Sequence, residues 1–374
     1  MRSKLALTIT AASVLAFAAS SFAAQFNANT YMPDSHPLGN LGYHDFAKDL
    51  RERTNGAVDF KVFAGGVLVP PRASLSAIGD NIAQIGFFAG TYTPKELPIA
   101  NLVGALAFEN TDPLVQLFAV TEFSLTNPAQ LEEWQRNRVV FGGGYATPPY
   151  NLFCTSEIRT LDDMRGKKLR MPGGVYERWA RHLGAVSVNV SSNEMYTGLE
   201  KGALDCAANA NDALKSHSLW EVAKFTTLSE AGVYYSGAMY AYNPTFWAKL
   251  TPEQRKTLFD TMAIHMVRTT VGYEVMHNEI LEWAKQNGVK VIEPAEDMKR
   301  KTAEFVEQER KDLVTRAEQE GLRNAESLVN EYLRLVAKWD ERLTAVDRRD
   351  EKALVALLSG EIYGRIDPAT YGVR

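Results

Sequence analysis

The stretch that decides the fold runs from residue 161 to residue 211 and reads LDDMRGKKLRMPGGVYERWARHLGAVSVNVSSNEMYTGLEKGALDCAANAN. Helical and strand-like periods alternate through it, in the order helix 161–164, strand 167–171, helix 176–183, strand 186–190, helix 193–200 and strand 203–207. Strands and helices that alternate in this way form a parallel sheet with helices packed on its faces. The stretch therefore predicts one α/β lobe.

The same alternation precedes this stretch and predicts a second lobe. Its elements are predicted as strand 26–31, helix 38–54, strand 58–63, a helix beginning at 74–78 and strand 82–88. A new series begins after Pro148 and Pro149 with a strand over 151–155. We therefore expect the chain to cross from one lobe to the other near residues 146–150.

The last third of the chain is predominantly helical. Thr251 is a plausible N-cap, Pro252 occupies the first helical position, and the helical period continues to about Gln286. A helix of that length is expected to lie across both lobes. A strand is predicted over 288–292, and the charged residues 296–337 are predicted to be helical with a solvated face.

The N-terminus predicts a cleaved signal peptide. Arg2 and Lys4 form a basic start, an apolar run covers residues 5–19, and cleavage is predicted after Ala23 or Ala24. The apolar run is shorter than the roughly 20 residues that a membrane-spanning helix needs, so an uncleaved anchor is the weaker alternative. We therefore expect export to the periplasm.

Charge and histidine content limit the classes of partner. Loss of Arg2 and Lys4 takes the formal net charge from −4 to −6, and this mild acidity argues against a nucleic-acid partner. It does not exclude an anionic ligand, because one buried arginine can hold a carboxylate. The six histidines have no ligand-like spacing, so no metal site is predicted.

The two cysteines, Cys154 and Cys206, both fall in predicted strands of the same lobe. An oxidising compartment would allow them to form a disulfide. Cysteine is also a common small residue of protein cores. The sequence therefore leaves the pairing open.

The sequence contains no convincing catalytic constellation. It lacks a GxSxG elbow, a Walker loop and an HExxH motif. The glycines at 142–144 follow an apolar strand, but a phosphate cradle would need GxGxxG spacing and a following helix, and Pro148 and Pro149 intervene. We interpret these glycines as a flexible crossing between the lobes, and Asp162 and Asp163 as capping residues of a surface turn.

Several short motifs follow one another in a characteristic order over residues 161–211. They are Asp163-x-x-Gly166-x-Lys168-x-Arg170, Leu183-Gly184-Ala185, Glu194-x-Tyr196 and Gly202-x-x-Asp205. Together with 63–68 (FAGGVL) and 250–252 (LTP), this order resembles the substrate-binding subunit of the tripartite ATP-independent periplasmic (TRAP) transporters, the DctP family. The resemblance covers about residues 26–320. It implies a two-lobed α/β periplasmic binding protein fold, with the long helix spanning both lobes.

The resemblance implies that Arg170 anchors the ligand. In the family, the arginine at the end of this strand forms a two-pronged salt bridge with the ligand carboxylate. The chemistry agrees, because a planar guanidinium matches a carboxylate through two parallel hydrogen bonds. Asn209 falls where the family places an amide that helps to hold the same carboxylate, with Asn211 and Asp212 as rival candidates.

Aromatic residues are expected to close over the rest of the ligand. Phe88 and Tyr92 end or follow a strand of the first lobe, although Phe88 is equally compatible with the core. Tyr150 lies at the lobe crossing and Tyr235 at the return crossing. Many family members carry a second arginine or a polar group about where this chain has residues 145–151. A monocarboxylate is therefore at least as compatible with this chain as a C4-dicarboxylate.

The implied function is capture of a small organic acid and its delivery to integral membrane TRAP subunits, without ATP or any bound cofactor. Two alternatives are a ligand-sensing domain for a signalling receptor and a periplasmic enzyme acting on small acids. The predicted limits are 1–24 for the signal peptide, 25–147 with 236–275 for lobe I, and 148–235 with 276–323 for lobe II. Residues 324–374 are predicted to form a C-terminal helical extension of unexplained purpose.

Overall fold

The computed structural model describes residues 25–229 and 231–373, so the predicted signal peptide lies outside the described residues. In these residues the chain forms eleven strands: β1 (Phe26–Asn29), β2 (Phe60–Phe63), β3 (Ile85–Phe88), β4 (Val140–Gly143), β5 (Asn151–Cys154), β6 (Lys168–Arg170), β7 (Val186–Val188), β8 (Cys206–Asn209), β9 (Phe225–Thr227), β10 (Ala238–Tyr242) and β11 (Lys290–Ile292).

The α-helices of the same residues are α1 (Pro37–Gly39), α2 (Asp45–Arg53), α3 (Ser74–Gly79), α4 (Pro98–Gly104), α5 (Pro113–Thr126), α6 (Pro128–Arg136), α7 (Leu161–Met164), α8 (Gly174–His182), α9 (Met195–Glu200), α10 (Ala213–Ser216), α11 (Pro244–Lys249), α12 (Pro252–Gln286), α13 (Glu296–Gln319), α14 (Ala325–Thr344) and α15 (Glu351–Glu361). Across the described ranges, none of the helices combines the length and the apolar character that crossing a membrane requires.

The strands form two sheets, and each sheet with its helices is one lobe. Lobe I has the strand order β2-β1-β3-β10-β4, and lobe II has the order β11-β9-β5-β8-β6-β7. The prediction of two α/β lobes is confirmed. Neither sheet is wholly parallel, because β10 runs antiparallel to β3 and β4, and β5 runs antiparallel to β8 and β9. Each of these two strands directly follows a crossing between the lobes.

The two crossing segments run side by side. Pro149 and Val233 form an antiparallel bridge, and Tyr150 N donates to Gly232 O at 3.1 Å. The lobes are therefore joined by a short two-stranded ribbon. The predicted lobe limits stay a prediction.

Helix α12 packs against both lobes, as predicted. It contacts α2, α5 and α15 on the side of lobe I, and α10 and β11 on the side of lobe II. Thr251 caps its first turn, because Thr251 Oγ1 accepts from Gln254 N at 3.2 Å. In turn, Gln254 Oε1 accepts from Thr251 N at 2.9 Å. With 35 residues, the helix is about 52 Å long.

The charged region after residue 296 forms two helices rather than one. Gly321, with φ of 93°, ends the turn after α13, and α14 begins at Ala325. Helix α14 packs on α5 and buries Tyr332 and Trp339. The predicted C-terminal extension is therefore helical, and part of it belongs to the core of lobe I rather than to a solvated face.

The predicted flexible crossing at 142–144 is wrong. Gly142 and Gly143 belong to strand β4 and are buried. Neighbouring side chains approach their backbone so closely that only glycine fits at these positions. A Cβ added to Gly142 would lie 2.6 Å from Tyr242 Cε2, and one added to Gly143 would lie 2.3 Å from Met266 Sδ. These glycines are packing residues.

We expect Gly143→Ala to lower the free energy of unfolding by about 1–3 kcal/mol, because the buried Met266 must move to admit the new methyl group. Gly360→Ala is the matched control, since Gly360 lies in α15 and nothing lies within 4 Å of its added Cβ. That change should stabilise the protein by about 0.5–1 kcal/mol. Urea denaturation measures the free energy of unfolding of both variants. If the two substitutions changed it equally, the packing argument would be contradicted.

Candidate ligand-binding site

A small cavity of about 20 Å³ lies between the two lobes. Its walls come from the carboxyl ends of strands in both lobes, from the two crossing segments and from the middle of α12. Ligands of open α/β sheets bind at this edge. Tyrosines dominate the lining: Tyr31, Tyr92, Tyr145, Tyr150, Tyr234 and Tyr273.

Arg170 is the last residue of β6 and lies in the wall of this cavity. Pro172 follows two residues later and cannot donate to a sheet ladder, which favours the end of the strand here. The side chain is 2% exposed. Its Nε donates to Val190 O at 3.0 Å, and Nη1 donates to Ala208 O at 2.9 Å.

The guanidinium of Arg170 has no acidic partner among residues 25–229 and 231–373, since no ion pair within 4.0 Å forms there. Its Nη2 instead donates to the Tyr92 hydroxyl at 3.2 Å. Each Nη thus uses one of its two N–H groups, and the other has no partner in the described chain. A carboxylate could accept from these two N–H groups and would also supply the counter-charge that a buried guanidinium needs.

Burial favours the protonated form of two tyrosine hydroxyls of the cavity. Burial raises the pKa of Tyr31 and of Tyr150 well above the ordinary value, with Arg170 opposing this shift less strongly. Tyr150 stacks on Tyr234, with ring centroids 5.4 Å apart. These phenols present both an apolar ring and an O–H donor to the cavity.

His36 and Tyr273 form another part of the wall. His36 Nδ1 accepts from Leu38 N at 3.1 Å, and Nε2 lies 3.1 Å from the Tyr273 hydroxyl and 3.5 Å from Asp212 Oδ2. Burial lowers the pKa of His36 well below the ordinary value and raises the pKa of Asp212 to about 7. The contact between His36 and Asp212 is therefore not a salt bridge between two full charges.

Asn209 ends β8 and lines the cavity beside Arg170. Its Oδ1 accepts from Ala210 N at 2.8 Å, and its Nδ2 lies 3.8 Å from Met195 Sδ, which is a weak acceptor. The rival candidates have partners elsewhere. Asn211 contacts Asn151 and His277, and Asp212 accepts from Ser216 Oγ at 3.0 Å.

The structure brings four of the six predicted site residues to the cavity, namely Arg170, Asn209, Tyr92 and Tyr150. Tyr235 is a correction, because its hydroxyl donates to Val103 O at 3.0 Å and its ring stacks on Tyr332 outside the cavity. Phe88 is also a correction, since it packs against Trp134 in the core of lobe I.

Among the lining residues that the sequence did not indicate are Tyr31, His36, Tyr145, Tyr234 and Tyr273. Tyr234 directly precedes the predicted Tyr235 in the return crossing. The side chains of an extended segment alternate between its two faces, so one residue of error selects the wrong face. Tyr273 lies in the middle of α12. A tyrosine in the middle of a helix that is predicted to lie across both lobes was the sequence signal that could have indicated it.

Hydrogen bonds join the two lobes across the mouth of the cavity. Tyr92 accepts from Ser192 N at 3.1 Å, Asn193 Nδ2 donates to Tyr31 O at 3.0 Å, and Ser35 Oγ donates to Ser216 O at 3.0 Å. The lobes are therefore in a closed arrangement.

A model of a bacterial protein family, the family 7 extracellular solute-binding proteins known as DctP, matches residues 28–316. The chain belongs to this family. Residues beyond 316, including α14 and α15, lie outside the matched region. The DctP assignment confirms the resemblance read from the motifs at 161–211.

Individual relatives agree with the DctP assignment. The C4-dicarboxylate-binding protein DctB of Bacillus subtilis is 25% identical over 272 residues, which cover 70% of this chain and 74% of that protein. A marine metagenome TRAP solute-binding protein specific for aromatic acid ligands, solved with 3-hydroxybenzoate, has a TM-score of 0.76 at 18% identity, over 86% of this chain and all of that one.

A third relative is a Bordetella pertussis extracytoplasmic solute receptor that binds pyroglutamic acid. It has a TM-score of 0.70 at 18% identity, and the match covers 82% of this chain and 99% of that one. At this identity the likeness shows the fold, which is the two-lobed fold of TRAP solute receptors.

Proposed function

We propose that this DctP-family protein binds a small organic carboxylate in the inter-lobe cavity and delivers it to integral membrane TRAP subunits. The observation that carries the proposal is the Arg170 guanidinium, which is 2% exposed and has no acidic partner in the described chain. A ligand carboxylate would supply the missing counter-charge through two parallel hydrogen bonds. The three relatives described above bind carboxylic acids, which supports the same ligand class.

We infer a ligand with one carboxylate. Arg170 is the one cation among the described residues that line the cavity, apart from His36. Burial keeps His36 neutral, and burial together with the charge of Arg170 lowers the pKa of the nearby His217 to about 4. A second carboxylate would therefore lack a cationic partner.

The proposed mechanism is capture by closure. Tyr92 belongs to lobe I and Arg170 to lobe II, so a ligand that contacts both stabilises the closed arrangement more than an open one. That difference in binding free energy drives the hinge motion about the two crossing segments. The predicted signal peptide supports a periplasmic location for this cycle, with the closed form docking on the membrane subunits.

Two experiments distinguish the proposed transport function from its two alternatives. A sensor domain would bind the same ligand, so uptake of the identified ligand by cells that lack the protein separates transport from sensing. An enzyme would convert the ligand, so chromatography of the ligand after incubation with purified protein separates binding from turnover.

A screen of organic acids by thermal unfolding tests the proposal directly. We expect at least one small monocarboxylate to raise the melting temperature, because a ligand at one hundred times its dissociation constant stabilises the folded state by about 2.7 kcal/mol. The uncharged carboxamide of the same acid is the matched control and should give no shift. A carboxamide that binds as tightly as its acid would contradict a carboxylate anchor.

A further inference from the structure

Helix α13 is attached to lobe II from its first turn onward. Near its start, Leu161 N of α7 donates to Asp297 Oδ2 at 3.0 Å. Further along, Trp179 Nε1 of α8 donates to Thr302 Oγ1 at 3.1 Å, and this tryptophan is fully buried. Because α7 and α8 belong to lobe II, these bonds fix α13 to that lobe.

A largely buried carboxylate strengthens the attachment of α13 to α8. Glu309 of α13 is 8% exposed and accepts from Arg178 Nε of α8 at 2.9 Å. Arg316, further along α13, donates to the same carboxylate. Removal of one partner from a buried ion pair leaves an uncompensated charge, which is strongly unfavourable. We therefore expect α13 to move with lobe II when the lobes separate.

Helix α14, which follows α13, is attached to lobe I. Glu122 of α5 is buried and accepts from Lys338 Nζ and from Trp339 Nε1, each at 2.7 Å. The Tyr332 hydroxyl donates to Gln116 Oε1, also on α5, at 2.8 Å. These buried hydrogen bonds are costly to break, so α14 should move with lobe I.

The connection between α13 and α14, residues 320–324, is short and has little slack. Glu320 N donates to Arg316 O at 3.0 Å, and Leu322 N donates to Ala317 O at 2.9 Å. These bonds fold the first part of the connection back on the end of α13. The connection therefore cannot lengthen much unless they break.

The hairpin formed by α13 and α14 lies beside the crossing segments. Tyr332 of α14 stacks on Tyr235 of the return crossing, with ring centroids 5.8 Å apart. Phe108, which lies between α4 and α5 of lobe I, packs 5.5 Å from Tyr176 of α8 and 5.7 Å from Phe305 of α13. The hairpin thus adds a further connection between the lobes next to the two-stranded ribbon.

We propose that the α13–α14 hairpin is a strap that limits how far the lobes open. A restrained open state has fewer arrangements than a free one, so the strap favours the closed state. Slower release of a captured ligand follows, and this consequence alone rests on the proposed function. Because α14 lies outside residues 28–316, membership of the DctP family does not imply the strap.

A longer connection tests the strap while both helices keep their contacts. A flexible Gly-Ser segment of three or six residues is inserted between Arg323 and Asn324, which are both exposed. The matched control is the six-residue segment inserted between Arg349 and Asp350, which are also exposed. That site joins α14 to α15 on the side of lobe I, so its length should not affect the separation of the lobes.

Double electron–electron resonance measures the separation of the lobes. Spin labels are placed by Val67→Cys in lobe I and Glu200→Cys in lobe II, both at exposed positions, and the native cysteines are already paired. Without ligand, we expect the longest distances between the labels to increase with insert length, by about 5–10 Å for six residues. The control insertion should leave the distances unchanged. Circular dichroism checks that each variant is folded.

Release of the identified acid, followed by stopped-flow fluorescence, should be about threefold faster in the six-residue strap variant than in the control. Unchanged distances in the folded strap variants overturn the strap, and so does an equal increase in the control. A failure of the proposed function gives a different result. In that case no organic acid shortens the distances in the unmodified chain, while the insertions still lengthen them.

Discussion

Arg170→Ala should weaken binding of the identified acid by at least about 1,000-fold, which abolishes the ligand-induced rise in melting temperature. The variant removes the one guanidinium in the cavity wall, and nothing in the described lining replaces its charge. Arg170→Lys should also weaken binding, by less than alanine does, because an ammonium group cannot form the two parallel bonds of a guanidinium. Calorimetry on the purified proteins measures both.

Arg165→Ala is the control for Arg170→Ala. It removes the same charge five residues earlier, from a side chain that is 77% exposed and pairs with Asp162 on the surface. Its affinity for the acid should equal that of the unmodified protein. Circular dichroism checks that each variant is folded, and an Arg170→Ala protein that is folded and binds within tenfold would contradict the anchor.

Loss of the disulfide should lower the free energy of unfolding by about 4 kcal/mol. The structure pairs Cys154 with Cys206, directly opposite each other on β5 and β8, and thereby answers the question that the sequence left open. The bond closes a loop with a sequence separation of 52 residues. In the chain-entropy model a loop of this size restricts the unfolded chain by about that amount.

Urea denaturation of a Cys154→Ala, Cys206→Ala double variant measures this contribution. The unmodified protein in a reducing agent should approach the stability of the variant, whereas the variant itself should not respond to the reductant. If the free energy of unfolding of the variant lay within about 1 kcal/mol of that of the oxidised protein, the bond would add little to stability. That limit is about a quarter of the expected effect.

Much of the fold could be predicted because its pattern is local. The strand and helix periods in residues 161–200 and the capping signals of Thr251 and Pro252 depend on neighbouring residues, and the corresponding elements form. The role of Gly142 and Gly143 could not be predicted, because it depends on Met266 and on other side chains distant in the sequence. The direction of β10 likewise depends on where the chain re-enters lobe I.

The site was predictable where one strand end carried a distinctive polar residue, as at Arg170 and Asn209. It was not predictable for Phe88, since every residue of β3 is buried and an apolar residue there does not indicate which face it occupies. Tyr31 and Tyr273 are far apart in the sequence and line the same cavity only in the folded protein.

Helix α12 also links the two lobes as one continuous helix. It packs on α2, α5 and α15 of lobe I and on α10 and β11 of lobe II. If both sets of contacts persist when the lobes separate, the helix between them must bend. Gly272 lies in that middle portion, where the absence of a side chain makes a helix easiest to bend. Bending of this helix would therefore accompany the opening of the lobes that releases a captured acid.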